Sequence, residues 1–355
     1  MPARMSPRQR VITAMRRQKP DRVPKEWSFT PAVQEVFEEK TGVTSAADYF
    51  GFERRSVGFK GPRQTPDFAC WYCEQLPEDT VINEYGSARI PGDFYHFYER
   101  RYPLERAETM EELDEYPWPD YTPEYRHEHL EANVAALHDE GWFVSGGVGH
   151  IWETAWQLTR MEKLMQDMVL NRDLAARIFD EITQDRAFMA QRYAEAGADM
   201  LHCGDDVGMQ DRLMMSPQMW RQWLKPRWKK VVQGAKSINP DILAWYHSDG
   251  DIRPIIPELI EIGFDILNPI QPECMNPAEL KREYGDRLAF WGCIGTQTTM
   301  PFGTPDEVRE AVKWTVQNVG FDGGLLVAPT HVLEPDVPWE NILALAEAIE
   351  THGVY

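Results

Sequence analysis

The sequence predicts an α/β protein, a (β/α)8 TIM barrel carrying an inserted β-hairpin segment. Three observations predict it. Eight short apolar or β-branched runs recur along the chain, helical stretches separate most of them, and connections in the C-terminal half are short. The 355 residues suit one barrel with an insertion, and a hydrophobic content of 43% can fill its core. The expected organisation is one domain over 1–355 with the insertion at about 65–121.

The chain opens on a short helix over Arg8–Arg17, with Ser6 as N-cap and Pro7 at the first helical position, where a missing N–H is not needed. The turn Pro20-Asp21-Arg22-Val23-Pro24 leads into the first strand, Val23–Ser28. Further strands are predicted at Ser56–Phe59, Phe143–Ser145, Met200–Cys203, Ile242–Tyr246, Ile266–Asn268, Leu288–Trp291 and Leu325–Ala328. Helices are predicted at Asp173–Glu195, Pro217–Ala235, Pro254–Ile262, Pro277–Tyr284, Pro305–Val316 and Trp339–Thr351. Ser216-Pro217, Asn276-Pro277 and Thr304-Pro305 each place a capping side chain ahead of a proline, a helix-start signal. The segment Thr65–Tyr121 breaks the alternation. Thr80–Tyr85 and Ala88–Tyr98, parted by Gly86-Ser87, read as hairpin arms, and Trp71, Tyr72, Tyr85, Phe94, Tyr95, Phe97 and Tyr98 make the segment aromatic. Such an insertion either packs on the barrel wall or covers its mouth as a lid.

Composition removes several function classes. The net charge of −20 repels phosphate backbones, so no nucleic-acid partner is expected. No apolar run approaches the roughly 20 residues that span a bilayer, and Met1–Arg17 has no apolar leader core, so a cytoplasmic protein without a membrane partner is expected. Five cysteines, an odd number, do not suggest a disulfide framework. Cys70 and Cys73 form a C-x-x-C without a second pair, which reads as two thiols in an aromatic segment rather than a zinc knuckle.

A barrel's chemistry sits where strands run into βα loops. Five consecutive junctions carry polar groups beside Gly or Pro: His202–Gly208, Trp245–Asp251, Asn268–Pro272, Gly292–Gln297 and Ala328–His331. Each residue also has a structural reading. Asp205 could cap a helix, His247 could be a buried histidine, Cys293 a small core thiol, and His331 a surface residue. His247 and Asp249 form an H-x-D pair that an extended backbone points the same way. Five polar junctions around one rim are hard to explain as packing.

The stretches Arg8–Pro24, Asp199–Gln210 with Ser216–Lys225, Tyr246–Gln271, and Ala328–Asn341 (A-P-T-H-V-L-E-P-D-V-P-W-E-N) together resemble the uroporphyrinogen decarboxylase superfamily, and in particular its corrinoid methyltransferase and O-demethylase-like branch. The resemblance implies the barrel fold. The decarboxylases of that superfamily hold a polycarboxylate tetrapyrrole with arginines after the first strand, where this chain reads Trp27-Ser28-Phe29-Thr30-Pro31. Its methyltransferases carry zinc through an H-x-C pair after the fifth strand and a Cys after the eighth. Here the matching positions are His247-Ser248-Asp249 and His331, so both thiols are replaced by harder ligands that zinc also accepts.

The resemblance therefore implies a metal-assisted methyltransferase moving a methyl group from a small methoxylated or methylated-amine donor to a corrinoid on a partner protein. Zn2+ would sit on His247, Asp249 and His331, with Cys293 or Asp206 as substitute ligands. His247, His331 and Asp206 are the expected catalytic residues, and Asp205, Glu153, Trp245, Gln271 and Cys293 the expected substrate contacts. Asp205, Asp206 or Glu153 would position the donor or supply a proton. Trp27, Phe29, Trp152, Trp156 and Trp245 would give an aromatic rim suited to an aromatic or methylammonium group. No D-x-H-x-x-G pattern occurs, so cobalamin is expected on the partner and not on this chain. Two alternatives stay open: a decarboxylase, lyase or hydrolase working without cobalamin, and a metal-free site in which His247 and His331 only donate hydrogen bonds. A homodimer is also left open.

Overall fold

The computed structural model describes residues 4–94 and 97–355. In chain order its strands are β1 (Arg54–Val57), β2 (Val81–Ile82), β3 (Ala88–Phe94), β4 (Phe97–Arg101), β5 (Phe143–His150), β6 (Met200–Gly204), β7 (Leu243–His247), β8 (Ile266–Asn268), β9 (Ala289–Ile294) and β10 (Leu325–Pro329). One all-parallel sheet runs β1-β5-β6-β7-β8-β9-β10. The alternation of strands with helices imposes this, because parallel neighbours need a crossover connection.

The eighth barrel position departs from the expected strand Val23–Ser28. Extended chain fills it with isolated bridges, Lys25 to Val327 and Phe29 to Leu333, both parallel. Pro24 accepts from Val327 N–H but has no N–H to return, so a continuous ladder cannot form. Toward β1 the seam is tied by side chains. Glu53 accepts the Lys25 N–H at 3.1 Å and pairs with Arg10 and Arg22, while Glu26 pairs with Arg54. The second strand begins two residues earlier than expected, at Arg54, and the third continues five residues past Ser145 to His150.

Strand alternation decides what faces the barrel axis. The helix Pro7–Met15, closed by a capping box on Ser6, puts Val11, Ala14 and Met15 against Phe143, Met200, Leu243 and Ile266, plugging the N-terminal end. Full burial of a side chain the size of Val11 or Met15 contributes roughly 1.5–3 kcal/mol. Two residues further along β7, Trp245 forms the next layer with Trp291 of β9 and Ala328 of β10. Two further still, His247 reaches the open C-terminal end. The long outer helix Arg172–Glu195 packs on Lys225–Ile238. The single helix expected over Pro217–Ala235 is two, Pro217–Trp223 and Lys225–Ile238, because Pro226 cannot continue the ladder of the first. Ser216, Asn276 and Thr304 cap their helices as expected.

The insertion forms a three-stranded antiparallel sheet, β2-β3-β4. The arm expected over Ala88–Tyr98 is split between β3 and β4, and Tyr95 lies outside the described residues. The insertion is anchored on the outer helices. Tyr85 donates to Asp185 at 2.6 Å, and the Arg186 guanidinium lies 5.0 Å from the Tyr85 ring. Arg100 stacks 5.2 Å from the ring of Trp156, one turn along the helix Trp152–Thr159 that follows β5. The sheet thus stands beside the C-terminal mouth, on the β5 side. No helix among the described residues is long and apolar enough to cross a membrane.

Candidate active site

The strands end around a cavity of about 500 Å³ at the C-terminal mouth. Trp27, Phe29, Arg54, His150, His202, Trp245, His247, Asn268, Trp291 and His331 line it. His202 of β6 stacks on Trp245 at 3.8 Å between centroids, and Trp245 stacks in turn on His247. Burial holds His202 well below the usual histidine range, so it is a neutral part of this flat wall.

The loops after β6 and β7 touch backbone to backbone, and two glycines make that approach achievable. A Cβ on Gly208 would sit 2.3 Å from the Asp249 carbonyl oxygen, and one on Gly250 2.4 Å from that of Met209. Asp251 N–H donates to Met209 O at 2.7 Å across the junction. Asp206 and Asp249 are thereby brought together, and Asp206 Oδ1 accepts the Asp249 N–H at 2.9 Å. Gly208→Ala is expected to cost about 1–3 kcal/mol of stability through forced backbone displacement. Gly147→Ala, where an added methyl meets nothing within 4 Å, should cost far less. Denaturant midpoints of the two variants check this; equal midpoints would show that the loops yield freely.

Asp206, His247 and Asp249 offer three ligand atoms within 4.8 Å of one another. Hydrogen bonding fixes the imidazole. Asn268 Nδ2 donates to Trp291 O at 2.8 Å, so Asn268 Oδ1 faces His247 and accepts its Nδ1–H at 2.6 Å. The Nε2 lone pair then points at Asp206 Oδ1, 3.4 Å away. Two acceptors face each other there, which calls for a proton or a metal cation between them. Asp249 Oδ1 is buried without a hydrogen-bond partner, and burial pushes its carboxyl above the ordinary range against the pull of His247. An imidazole whose other nitrogen is held by an amide oxygen, with two carboxylates, suits a divalent ion with open positions.

The other expected residues divide. His331 lines the same cavity but lies outside this three-residue group, in which Asp206 stands with His247 and Asp249. Trp245 lines the cavity wall. Asp205 does not face it. Fully buried, its carboxylate accepts the N–H groups of Ile151, Trp152 and Glu153 and the indole N–H of Trp228. It therefore anchors the helix after β5, and one of its oxygens also lies within 4.8 Å of ligand atoms of His150 and Glu153. Gln271 is buried and accepts the Gly250 N–H at 2.7 Å, which supports the β7 loop. Cys293 is buried at φ +76° outside the cavity lining, and burial pushes its thiol up to about 12. Glu153 pairs with His150, which holds its carboxyl below the usual range although burial raises it. Trp152 is fully buried against Phe179, so it belongs to the core and not to the rim. His150 and Arg54 line the cavity without having been singled out from sequence. Cys70 and Cys73 are exposed free thiols.

A closed ring of β/α units with its polar side chains gathered at the strand C-termini defines a barrel enzyme. A sequence model described as uroporphyrinogen decarboxylase (URO-D) matches residues 101–352, and the chain belongs to that family. Two curated relatives, both methylcobamide:CoM methyltransferases MtaA of Methanosarcina barkeri, are 28% and 27% identical over 206 residues. The match covers 58% of this chain and spans 57% of those relatives' own length. A solved methyltransferase from Methanosarcina mazei superposes with a TM-score of 0.68 at 18% identity, covering 98% of this chain and 99% of that one, which establishes the shared fold.

Proposed function

We propose that this chain is a methyltransferase that moves a methyl group from a small methoxylated or methylated-amine donor to a corrinoid carried by a separate protein, with a metal ion assisting. The observation that carries the reading is the set of converging acceptors on Asp206, His247 and Asp249 at the cavity mouth. A divalent ion such as Zn2+ held by these residues would act as a Lewis acid on the donor's heteroatom. Cys203 and Cys293 are buried and stand apart from the group, so the ligand set is imidazole and carboxylate, harder than one built on thiolates. Such a set favours an oxygen donor over activation of a thiol. His331 contacts the donor from the end of β10, and Trp27, Trp245 and Trp291 shut water out from the sides. The names of the two curated relatives support corrinoid-linked methyl transfer.

The rival reading, decarboxylation of a polycarboxylate, needs cationic partners. Among the described residues lining the cavity the only arginine is Arg54, already neutralised by Glu26. The test is a spectrophotometric assay in which the protein is mixed with a reduced corrinoid and a panel of methoxylated aromatics and methylated amines. Methyl-corrinoid formation from at least one donor is the expected result. Release of CO2 from a carboxylated compound, with no methyl transfer from any donor, would overturn the proposal.

A further inference from the structure

One face of the antiparallel sheet gathers two cations. Arg89 of β3 stands directly opposite Arg100 of β4 in the ladder. Strand alternation puts Tyr98 on the face of Arg100 and Ser87 on the face of Arg89. Both guanidinium groups lie over the Tyr98 ring, Arg89 at 5.0 Å and Arg100 at 4.7 Å from its centroid, and Arg100 Nη2 donates to Tyr98 Oη at 2.8 Å. Like charges directly opposite each other in a ladder repel, so the aromatic ring holds together two cations that would otherwise separate. Between this face and Gln157 of the helix Trp152–Thr159 lies a cavity of about 310 Å³. No carboxylate is among the described residues lining it, although the chain carries a net charge of −20. Ser87 lines it too. It is 3% exposed, and its Oγ has no hydrogen-bond partner among the described residues. A buried hydroxyl left in that state is costly, and a ligand atom that bonds to it relieves the cost. Asn83, also in the lining, accepts the N–H groups of Tyr85 and Ser87 through Oδ1 at 3.0 Å each, which leaves its NH2 as the group to offer.

We propose that this cavity binds a phosphate group, as the free ion or as a small organic phosphate. A phosphate monoester carries a charge of about −1.5 to −2 at neutral pH and three acceptor oxygens. Arg89 and Arg100 supply the matching charge, and their planar forks suit bidentate bonds to phosphate oxygens. The Ser87 hydroxyl and the Asn83 and Gln157 amides supply neutral donors around them. A carboxylate, with a single charge and two oxygens, would leave one guanidinium uncompensated. The cavity is at the lower end of the size of small-molecule sites, which favours a compact ligand. The site shares no residue with Asp206, His247 and Asp249 and does not depend on the methyl-transfer reading.

The test is isothermal titration of the full chain, in a buffer free of phosphate, with inorganic phosphate, phenyl phosphate and benzoate. The expected result is about one phosphate or phenyl phosphate per chain, with benzoate weaker by about 10-fold or more. The tighter of the two phosphates identifies the free ion or the organic phosphate as the source of the group. Arg89→Met, at an exposed position, should weaken phosphate binding by about 10-fold or more, the usual worth of a hydrogen bond to a charged group. Ser87→Ala removes a hydroxyl that has no partner in the free protein. It should leave the thermal midpoint unchanged and weaken binding by about 3–10-fold. Absence of binding by either phosphate, benzoate binding as tightly as phosphate, or phosphate binding that either variant leaves unchanged would overturn the proposal.

Discussion

His247→Ala is expected to lose its bound divalent ion and to slow methyl transfer by on the order of 10³-fold. Lewis-acid stabilisation is worth several kcal/mol, and about 4 kcal/mol corresponds to that factor. His247 offers the one nitrogen donor of the proposed three-residue group, and its Nε2 faces Asp206 because Asn268 fixes the other side of the ring. Asn268→Ala should therefore act through the ring, weakening metal binding about 10–100-fold, the usual effect of removing an imidazole's outer partner. Asp249→Asn should weaken it as well, since its buried Oδ1 has no other partner. Metal content after dialysis and single-turnover rates check all three. A His247→Ala protein that retains one equivalent of metal would contradict the ligand assignment.

The largest stability effect is expected at Asp205. Its carboxylate accepts three backbone N–H groups at the start of the helix Trp152–Thr159 and the Trp228 indole N–H at 2.8 Å, all inside the protein. Asp205→Ala leaves these buried donors unsatisfied and is expected to cost about 3–5 kcal/mol at pH 5. The cost depends on pH. Burial pushes the Asp205 carboxyl up to about 7, above the value of about 4 in an unfolded chain. Between those values the unfolded state gives up its proton first, so the contribution of this group to stability falls as pH rises from about 4 to about 7. The gap between wild type and Asp205→Ala in denaturant titrations should accordingly narrow toward pH 8. A gap that widens over this range would contradict the raised carboxyl.

Features set by local sequence were legible in advance. Ser6, Ser216, Asn276 and Thr304 cap where a capping residue precedes proline, because the pattern and its hydrogen bonds lie within one turn. His247 and Asp249 were legible from the H-x-D pattern at a strand end. Three things were not. The eighth barrel position closes through Glu53 and Glu26 side chains, which leave no strand pattern around Pro24. β5 continues through Gly146, Gly147 and Gly149, residues that read as a loop, and so His150 at its end went unseen. The roles of Asp205 and Asp206 depend on contacts more than 40 residues away in sequence, Asp205 with the helix after β5 and Asp206 with the β7 loop that Gly208 and Gly250 allow to approach. The same loop contact brings Asp206 into the group with His247 and Asp249.

The most direct test of the metal-assisted reading is metal analysis of chelator-free wild-type protein, paired with methyl transfer to a reduced corrinoid before and after metal removal. The account predicts about one divalent ion per chain, loss of transfer when it is stripped, and recovery when it is returned. Metal-free protein that transfers methyl at the full rate would contradict it.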